Sequence, residues 1–302
     1  MIGLYVLTIL IWGTTWLPIK FSLGVVAPEV SVIYRLAIAT TILFTWCLIK
    51  GYHLRYTRKQ HVKMILFGVF LYAVDLTLLY EGSEYLTSGI VAITFSTIVI
   101  FNIINKRIFL SDSISGSSLV GAILGLIGLC IAFWPDVLAF SRGVAGKGEL
   151  SGLLLVLGAA LAGSIGNITS TVLQKDGVPV TQSNAYGMLY GVIALLIYSS
   201  FRGSVFNFDS SIVYVSSLLY LALFGSVLAF GFYLTLIGTI GADKAAYANL
   251  IFPIIAVAIS TIFEGFAIDR RLLFAIAIIL IGNYLMHIKP VWFSIKHSRE
   301  TM

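Results

Sequence analysis

Ten stretches of this chain are apolar around the whole helical circumference, and that pattern leaves few folds open. They run Ile2–Ile19, Val30–Ile49, Met64–Tyr80, Leu86–Ile104, Ser117–Phe133, Leu150–Thr171, Ser183–Phe201, Ile212–Leu234, Ala245–Phe263 and Leu272–Ile288. A helix needs about 20 mainly apolar residues to cross a bilayer. A soluble amphipathic helix would show a polar stripe, and the strands of a membrane barrel would alternate; these runs do neither. Charged residues are only 11% of the chain, where a soluble domain carries roughly 25%. The bilayer is therefore the expected solvent, and the expected fold class is an all-α membrane protein of ten transmembrane helices. Met64–Tyr80 is the weakest of the ten, being short and containing Asp75. The first run starts at the second residue without a basic leader, so it reads as a span and not as a removable signal peptide.

The formal net charge of +6 has a topological reading. Cytoplasmic loops of inner-membrane proteins are enriched in Lys and Arg. With the amino terminus inside, one side holds Lys50, Arg55, Arg58, Lys59, Lys63, Lys106, Arg107, Lys175, Lys244, Lys289, Lys296 and Arg299. The other holds Lys20, Arg142, Lys147, Arg202, Arg270 and Arg271, and Arg35 falls inside a span. Both termini and the Lys50–Lys63 loop are thus expected in the cytoplasm. Binding of anionic lipid is the functional alternative for that basic loop. Cys47 and Cys130 both fall in spans and read as buried thiols, with no disulfide framework.

A shift of 154 positions superposes the fourth and fifth runs on the ninth and tenth. Ala92 falls on Ala246, Ile100 on Ile254, Ile108 on Ile262 and Phe109 on Phe263, and Leu126-Ile127-Gly128 falls on Leu280-Ile281-Gly282. A slightly smaller shift puts Gly13 on Gly163 and Pro28 on Pro179. The expected domains are a first five-helix repeat (1–134), a connecting loop (135–149), a second five-helix repeat (150–289) and a cytoplasmic tail (290–302). Because five is odd, two such repeats must run in opposite senses across the membrane. Inverted repeats with a site near the midplane are the architecture of many secondary transporters.

The stretch Trp12-Gly13-Thr14-Thr15-Trp16, ending in Lys20, resembles the first-span signature of the drug/metabolite transporter superfamily, EamA type. Arg35 fits the same pattern, as do Pro253, Glu264 and Gly282 within Ala245–Asn283. The first repeat departs from it, with Val99 where the proline would stand and Leu110 where the acid would stand. The resemblance implies ten helices around a central cavity and the movement of amino acids, nucleotides, amines or other metabolites. It also implies that Trp16 comes nearer the cavity than Trp12.

Ionisable groups inside spans are expensive and ask for a reason. Arg35 and Asp75 lie at similar depths from the same face. They read either as a buried ion pair that fixes the helices, or as an arrangement in which Asp75 lines a cavity and binds a proton or a substrate ammonium. Trp12 and Trp16 are one helical turn apart and could wall a substrate by stacking or cation–π contact, or could simply pack. Tyr72, Thr94, Asn167, Tyr247 and Asn249 are polar groups at mid-depth. Pro253 removes the hydrogen bond to the carbonyl of Asn249 and suggests a kink. The substrate-binding candidates are therefore Trp16, Tyr72, Asp75, Thr94, Asn167, Tyr247 and Asn249, with Arg35 and Pro253 in structural or coupling roles. Gly121/Gly125 and Gly187/Gly191 have the small-xxx-small spacing of close helix packing.

No His-Glu-x-x-His or Gly-x-Ser-x-Gly motif occurs, and Gly146-Lys147 lacks the flanking residues of a phosphate loop. No catalytic residue, metal or cofactor is expected. The functional expectation is a secondary transporter in the inner membrane, exporting a small organic metabolite such as an amino acid or amine. Its partners would be that substrate and the lipid bilayer, with no nucleic acid; proton coupling and a homodimer stay open. A multi-pass membrane enzyme or scaffold is the competing class.

Overall fold

The computed structural model describes residues 2–111, 116–132, 134, 147–240, 245, 248–265 and 268–287. Among these residues the structure is helical, without strands. In chain order we number the helices α1 (Ile2–Phe21), α2 (Pro28–Ile49), α3 (Arg58–Ser83), α4 (Ser88–Leu110), α5 (Gly116–Ala132), α6 (Lys147–Lys175), α7 (Val180–Arg202), α8 (Ile212–Thr239), α9 (Ala248–Phe263) and α10 (Arg270–His287). Seven of them, α1 to α4 and α6 to α8, are long and apolar enough to cross a membrane. The outward faces carry large apolar side chains such as Leu48, Leu154, Ile197, Phe201, Phe263 and Tyr284. Water does not tolerate a surface of that kind, whereas lipid solvates it. The chain is a multi-pass membrane protein.

The helix ends follow local chemistry. Pro28 opens α2 at its first turn, where its missing N–H costs nothing. The weakest sequence run becomes a full helix because Thr57 and Gln60 form a capping box and start α3 at Arg58, six residues before the apolar stretch. Ser211 caps α8 by accepting the N–H of Tyr214. Gly203, with φ of 70°, turns the chain out of α7. Within α4 the ladder breaks at Ser96 and Thr97, whose hydroxyls donate to the carbonyls of Ile93 and Thr94 at 2.6 and 2.7 Å.

Two helices contain a π-helical turn, at Val69–Val74 in α3 and at Leu221–Leu228 in α8. The N–H of Asp75 reaches back to the carbonyl of Phe70, and that of Ala229 to Phe224. Such turns are rare and cluster at functional positions. Here one ends at Asp75 and the other contains Ser226.

The packing comes in matched sets. α2 packs on α7, and α5 packs on α10; α1 packs on α8 and α9, and α6 packs on α3 and α4. α9 meets α4 along Ser88–Phe95. Small residues permit these approaches. A Cβ on Gly187 would lie 2.5 Å from the Phe67 ring, and one on Gly191 would lie 3.0 Å from Cβ of Tyr72, so this pair seats α7 on α3. A Cβ on Gly282 would fall 2.7 Å from the carbonyl oxygen of Gly121, which seats α10 on α5. The glycine pairs singled out by spacing thus serve contacts within the chain.

Candidate functional site: an aromatic cavity with two opposite charges

α1 presents Trp12, Thr15, Trp16 and Ile19 to one interior space. Their spacing puts them on a single helical face. α3 adds Leu71, Asp75, Leu76 and Leu79, and α2 adds Arg35. Phe95 and Ile98, on either side of the break in α4, Asn167 of α6, Phe230 and Tyr233 of α8, and Phe252 of α9 close the wall. Counted out to its open mouth, with the open solvent there included, the space is about 590 Å³.

The aromatic wall is continuous. Trp16 stacks on Phe252 with ring centres 5.4 Å apart and leans on Phe95 at 5.5 Å. Trp12 meets Tyr233 at 4.7 Å and Phe230 edge-on at 5.3 Å. Trp16 is only 6% exposed, and its indole N–H has no partner among the described residues. A buried donor left bare costs on the order of 1–3 kcal/mol, so such a group normally has work to do.

The two charges do not pair. Arg35 and Asp75 are each 2% exposed and both line the cavity, yet among the described residues no ion pair within 4.0 Å joins them. Arg35 instead donates through Nε to Ser226 at 2.8 Å and through Nη1 to the Tyr80 hydroxyl at 3.4 Å. The direct Arg35–Asp75 bond considered from sequence is therefore not made, because Ser226 in the π turn of α8 holds the guanidinium. Asp75 Oδ1 is buried without a partner among the described residues. On the other side α6 presses close, since a Cβ on Gly163 would lie 2.6 Å from Asp75 Oδ2.

The sequence candidates divide. Trp16, Asp75, Asn167 and Arg35 all reach the cavity. Asn167 also donates a long, 3.5 Å bond to Asn102. Tyr72 does not line the cavity: it is fully buried behind the Phe230 ring and donates to Asn184 at 2.8 Å. Thr94 is fully buried outside the lining, with a hydroxyl that finds no partner among the described residues. Tyr247 and the side chain of Asn249 lie outside the described residues. Pro253 is buried inside α9, next to Phe252, which does reach the cavity. Phe95, Phe230, Tyr233 and Phe252 were not among the site candidates, and Trp12 entered only with Trp16 as a wall that stacking or packing would explain. For Trp12 the signal was its one-turn spacing from Trp16; for the three phenylalanines no local signal sets them apart from the chain's other seventeen.

One end of the bundle is cross-tied. Lys20 donates to the carbonyls of Ser83 and Leu86 at 2.6 and 3.0 Å, joining α1 to the α3–α4 turn. Glu264, just past α9, accepts the N–H of Ser88 at 3.0 Å and the hydroxyl of Ser260 at 2.6 Å. A carboxylate suits the amino-terminal end of α4. Arg202 of α7 pairs with Glu81 at 2.5 Å, and Ser204 donates to Glu29 at 2.5 Å. The opposite end has the Lys63–Asp176 ion pair, between α3 and the α6 carboxyl end, with both side chains about one-third exposed.

A multi-pass helical protein whose interior holds a polar-pointed aromatic cavity is built as a membrane transporter, and comparison with known proteins agrees. The EamA-like transporter family profile matches residues 1–134 and again 150–288, and the chain belongs to that family. It is 27% identical over 257 residues to the uncharacterized transporter YoaV of Bacillus subtilis, covering 85% of each chain. It is 26% identical to the uncharacterized inner membrane transporter YedA of Escherichia coli, covering 93% of this chain and 91% of that one. Protein PagO of Salmonella typhimurium is 24% identical over 284 residues, with the same coverage. One solved crystal structure superposes with a TM-score of 0.67 at 16% identity, covering 93% of this chain and 94% of its own, a likeness of fold alone.

Proposed function

We propose that the protein is a secondary transporter of a small organic metabolite, such as an amino acid or amine, working by alternating access across the inner membrane. The observation that carries this reading is the cavity itself: helices from both parts of the chain wall it with aromatic rings, and a carboxylate and a guanidinium border it without pairing. Export is the direction we propose, although the drug/metabolite transporter resemblance covers both export and import.

In this reading all ten helices span the membrane as two inverted halves. The packing supports it, because adding five to each helix number turns the α1–α8 and α1–α9 contacts into the α6–α3 and α6–α4 contacts. The π turns support it too, starting 152 positions apart, close to the 154-residue sequence shift. The family profile matching twice points the same way. With the termini cytoplasmic, the end tied by Lys20, Glu264 and Arg202 faces outward. A cysteine placed at Tyr52 or Ser298 is expected to label only from the cytoplasmic side; labelling of either from outside alone refutes the orientation.

Purified protein in proteoliposomes, offered a panel of radiolabelled metabolites, is expected to give saturable counterflow of at least one. Absence of saturable flux for every member of a panel spanning amino acids, amines and nucleotides would sink the transport reading.

A further inference from the structure

The corner between α2 and α3 carries positive charge that nothing among the described residues offsets. From Lys50 to Lys63 the chain has five Lys and Arg residues and no Asp or Glu. Lys63 is taken by Asp176, and Lys50 lies over the Trp46 ring at 4.8 Å. Arg55, Arg58 and Lys59 are exposed, and their side chains make no hydrogen bond or ion pair among the described residues. Cations elsewhere have acids beside them: Arg202 has Glu81, and Arg271 has Asp269. Helix formation does not account for the three either. Arg58 and Lys59 stand in the first turn of α3, which has no acidic residue, and there the helix dipole disfavours positive charge.

Below these cations α3 turns an apolar stripe outward. Arg58, Val62, Ile65 and Leu66 follow at helical spacing along one face, and the three apolar side chains are exposed. Met64, Phe67 and Gly68 turn the other way, into the core. Leu66 lies about 12 Å along the axis from Arg58. Charge at the end and apolar surface beneath it is the form of a phospholipid, phosphate above and acyl chains below. Arg offers a planar fork of donors that fits phosphate oxygens, and Lys a point charge. Basic clusters beside a span attract anionic lipid. A free phosphate or a nucleic acid would answer the cations and leave the stripe unused. A zwitterionic lipid would cover the stripe and bring no net charge to the cations.

We propose that the amino-terminal end of α3 is a binding site for an anionic phospholipid of the leaflet it faces, with the phosphate held by Arg55, Arg58 and Lys59 and an acyl chain laid along Val62, Ile65 and Leu66. The site lies on the outside of the bundle and does not depend on what the cavity carries.

Full-length protein in detergent is titrated with dioleoyl phosphatidylglycerol or dioleoyl phosphatidylcholine, and bound lipid is read by native mass spectrometry. Wild type is expected to bind the phosphatidylglycerol at least tenfold tighter. Arg55→Gln, Arg58→Gln and Lys59→Gln together are expected to cut that preference at least fivefold. Arg270→Gln with Arg271→Gln, at the opposite end of the bundle, is expected to leave it unchanged. Equal affinity of wild type for the two lipids overturns the proposal. So does a preference that survives the triple change, or one that the distant pair of changes lowers as much. Millimolar sn-glycerol 3-phosphate and a single-stranded oligonucleotide are not expected to displace the bound lipid. Displacement by the first would make this a site for free phosphate, and by the second a site for nucleic acid; either overturns the lipid assignment. Where the triple variant fails to fold, the three single variants decide. At least one is expected to weaken phosphatidylglycerol binding twofold or more, and no effect in any of them overturns the proposal.

Discussion

Arg35→Met is expected to lower stability by about 1–3 kcal/mol, because it takes a hydrogen-bonded buried guanidinium out of the cavity that Asp75 shares. It also strips Ser226 and Tyr80 of their donor. Adding Asp75→Leu to the same molecule is expected to restore part of that loss, since the buried carboxyl whose Oδ1 lacks a partner among the described residues is then replaced by an apolar side chain. Transport is not expected to return, because the cavity then offers a ligand neither the carboxyl nor the guanidinium. Thermal unfolding in detergent and counterflow in proteoliposomes read the two effects separately. A double variant that is stable and transports at the wild-type rate would make the charges purely structural. A double variant no more stable than Arg35→Met alone would mean the two groups do not offset each other at all.

The second large effect falls on Trp16. Trp16→Ala is expected to weaken substrate binding by one to two orders of magnitude, or about 1.4–3 kcal/mol, through loss of both a ring contact and a buried N–H donor. The ring borders an existing space, so its removal enlarges the cavity without exposing a new core. Stacking against Phe252 and Phe95 is lost as well, and some stability goes with it. Trp16→Phe separates the contributions: it keeps a ring and removes the N–H, and it is expected to fall between wild type and Trp16→Ala. Wild-type affinity in purified Trp16→Ala protein would remove Trp16 from the site.

Seven of the ten expected spans, those that form helices long and apolar enough to cross a membrane, were legible because desolvation of the backbone demands long apolar runs, and that demand is written in composition. What faces inward was much less legible. In a membrane protein the lipid-facing and core-facing sides are both apolar, so hydropathy carries no facing signal. Phe201 and Phe252 look alike in sequence, yet one is 88% exposed and the other 1%. Polar groups fared better, since a buried charge must have a reason: Arg35 and Asp75 both reach the cavity. Tyr72 shows the limit of that rule, because a neutral hydroxyl is satisfied by a single neighbour such as Asn184 and needs no cavity. The break in α4 was written in the Ser96-Thr97 pair, whose hydroxyls compete for the helix carbonyls. The π turns were not, because an i→i+5 bond asks for no particular residue type.

A π turn stores one residue more than its α counterpart, and this makes α3 sensitive to length in a way its hydropathy hides. Deleting a single residue from Val69–Val74 would let the helix relax to ordinary winding and still span the same apolar run. The residues beyond the deletion would keep their facing relative to what precedes it, because the π turn had already absorbed the extra residue. Asp75, Leu76 and Leu79 would stay on the cavity wall, whereas a one-residue deletion in the regular part of α3 would turn them off it by about 100° while the capping box at Thr57 and Gln60 stayed where it is. Among related chains, a one-residue gap within Val69–Val74 would mark a lost π turn with the pocket lining kept, and a gap elsewhere in α3 a reassigned pocket.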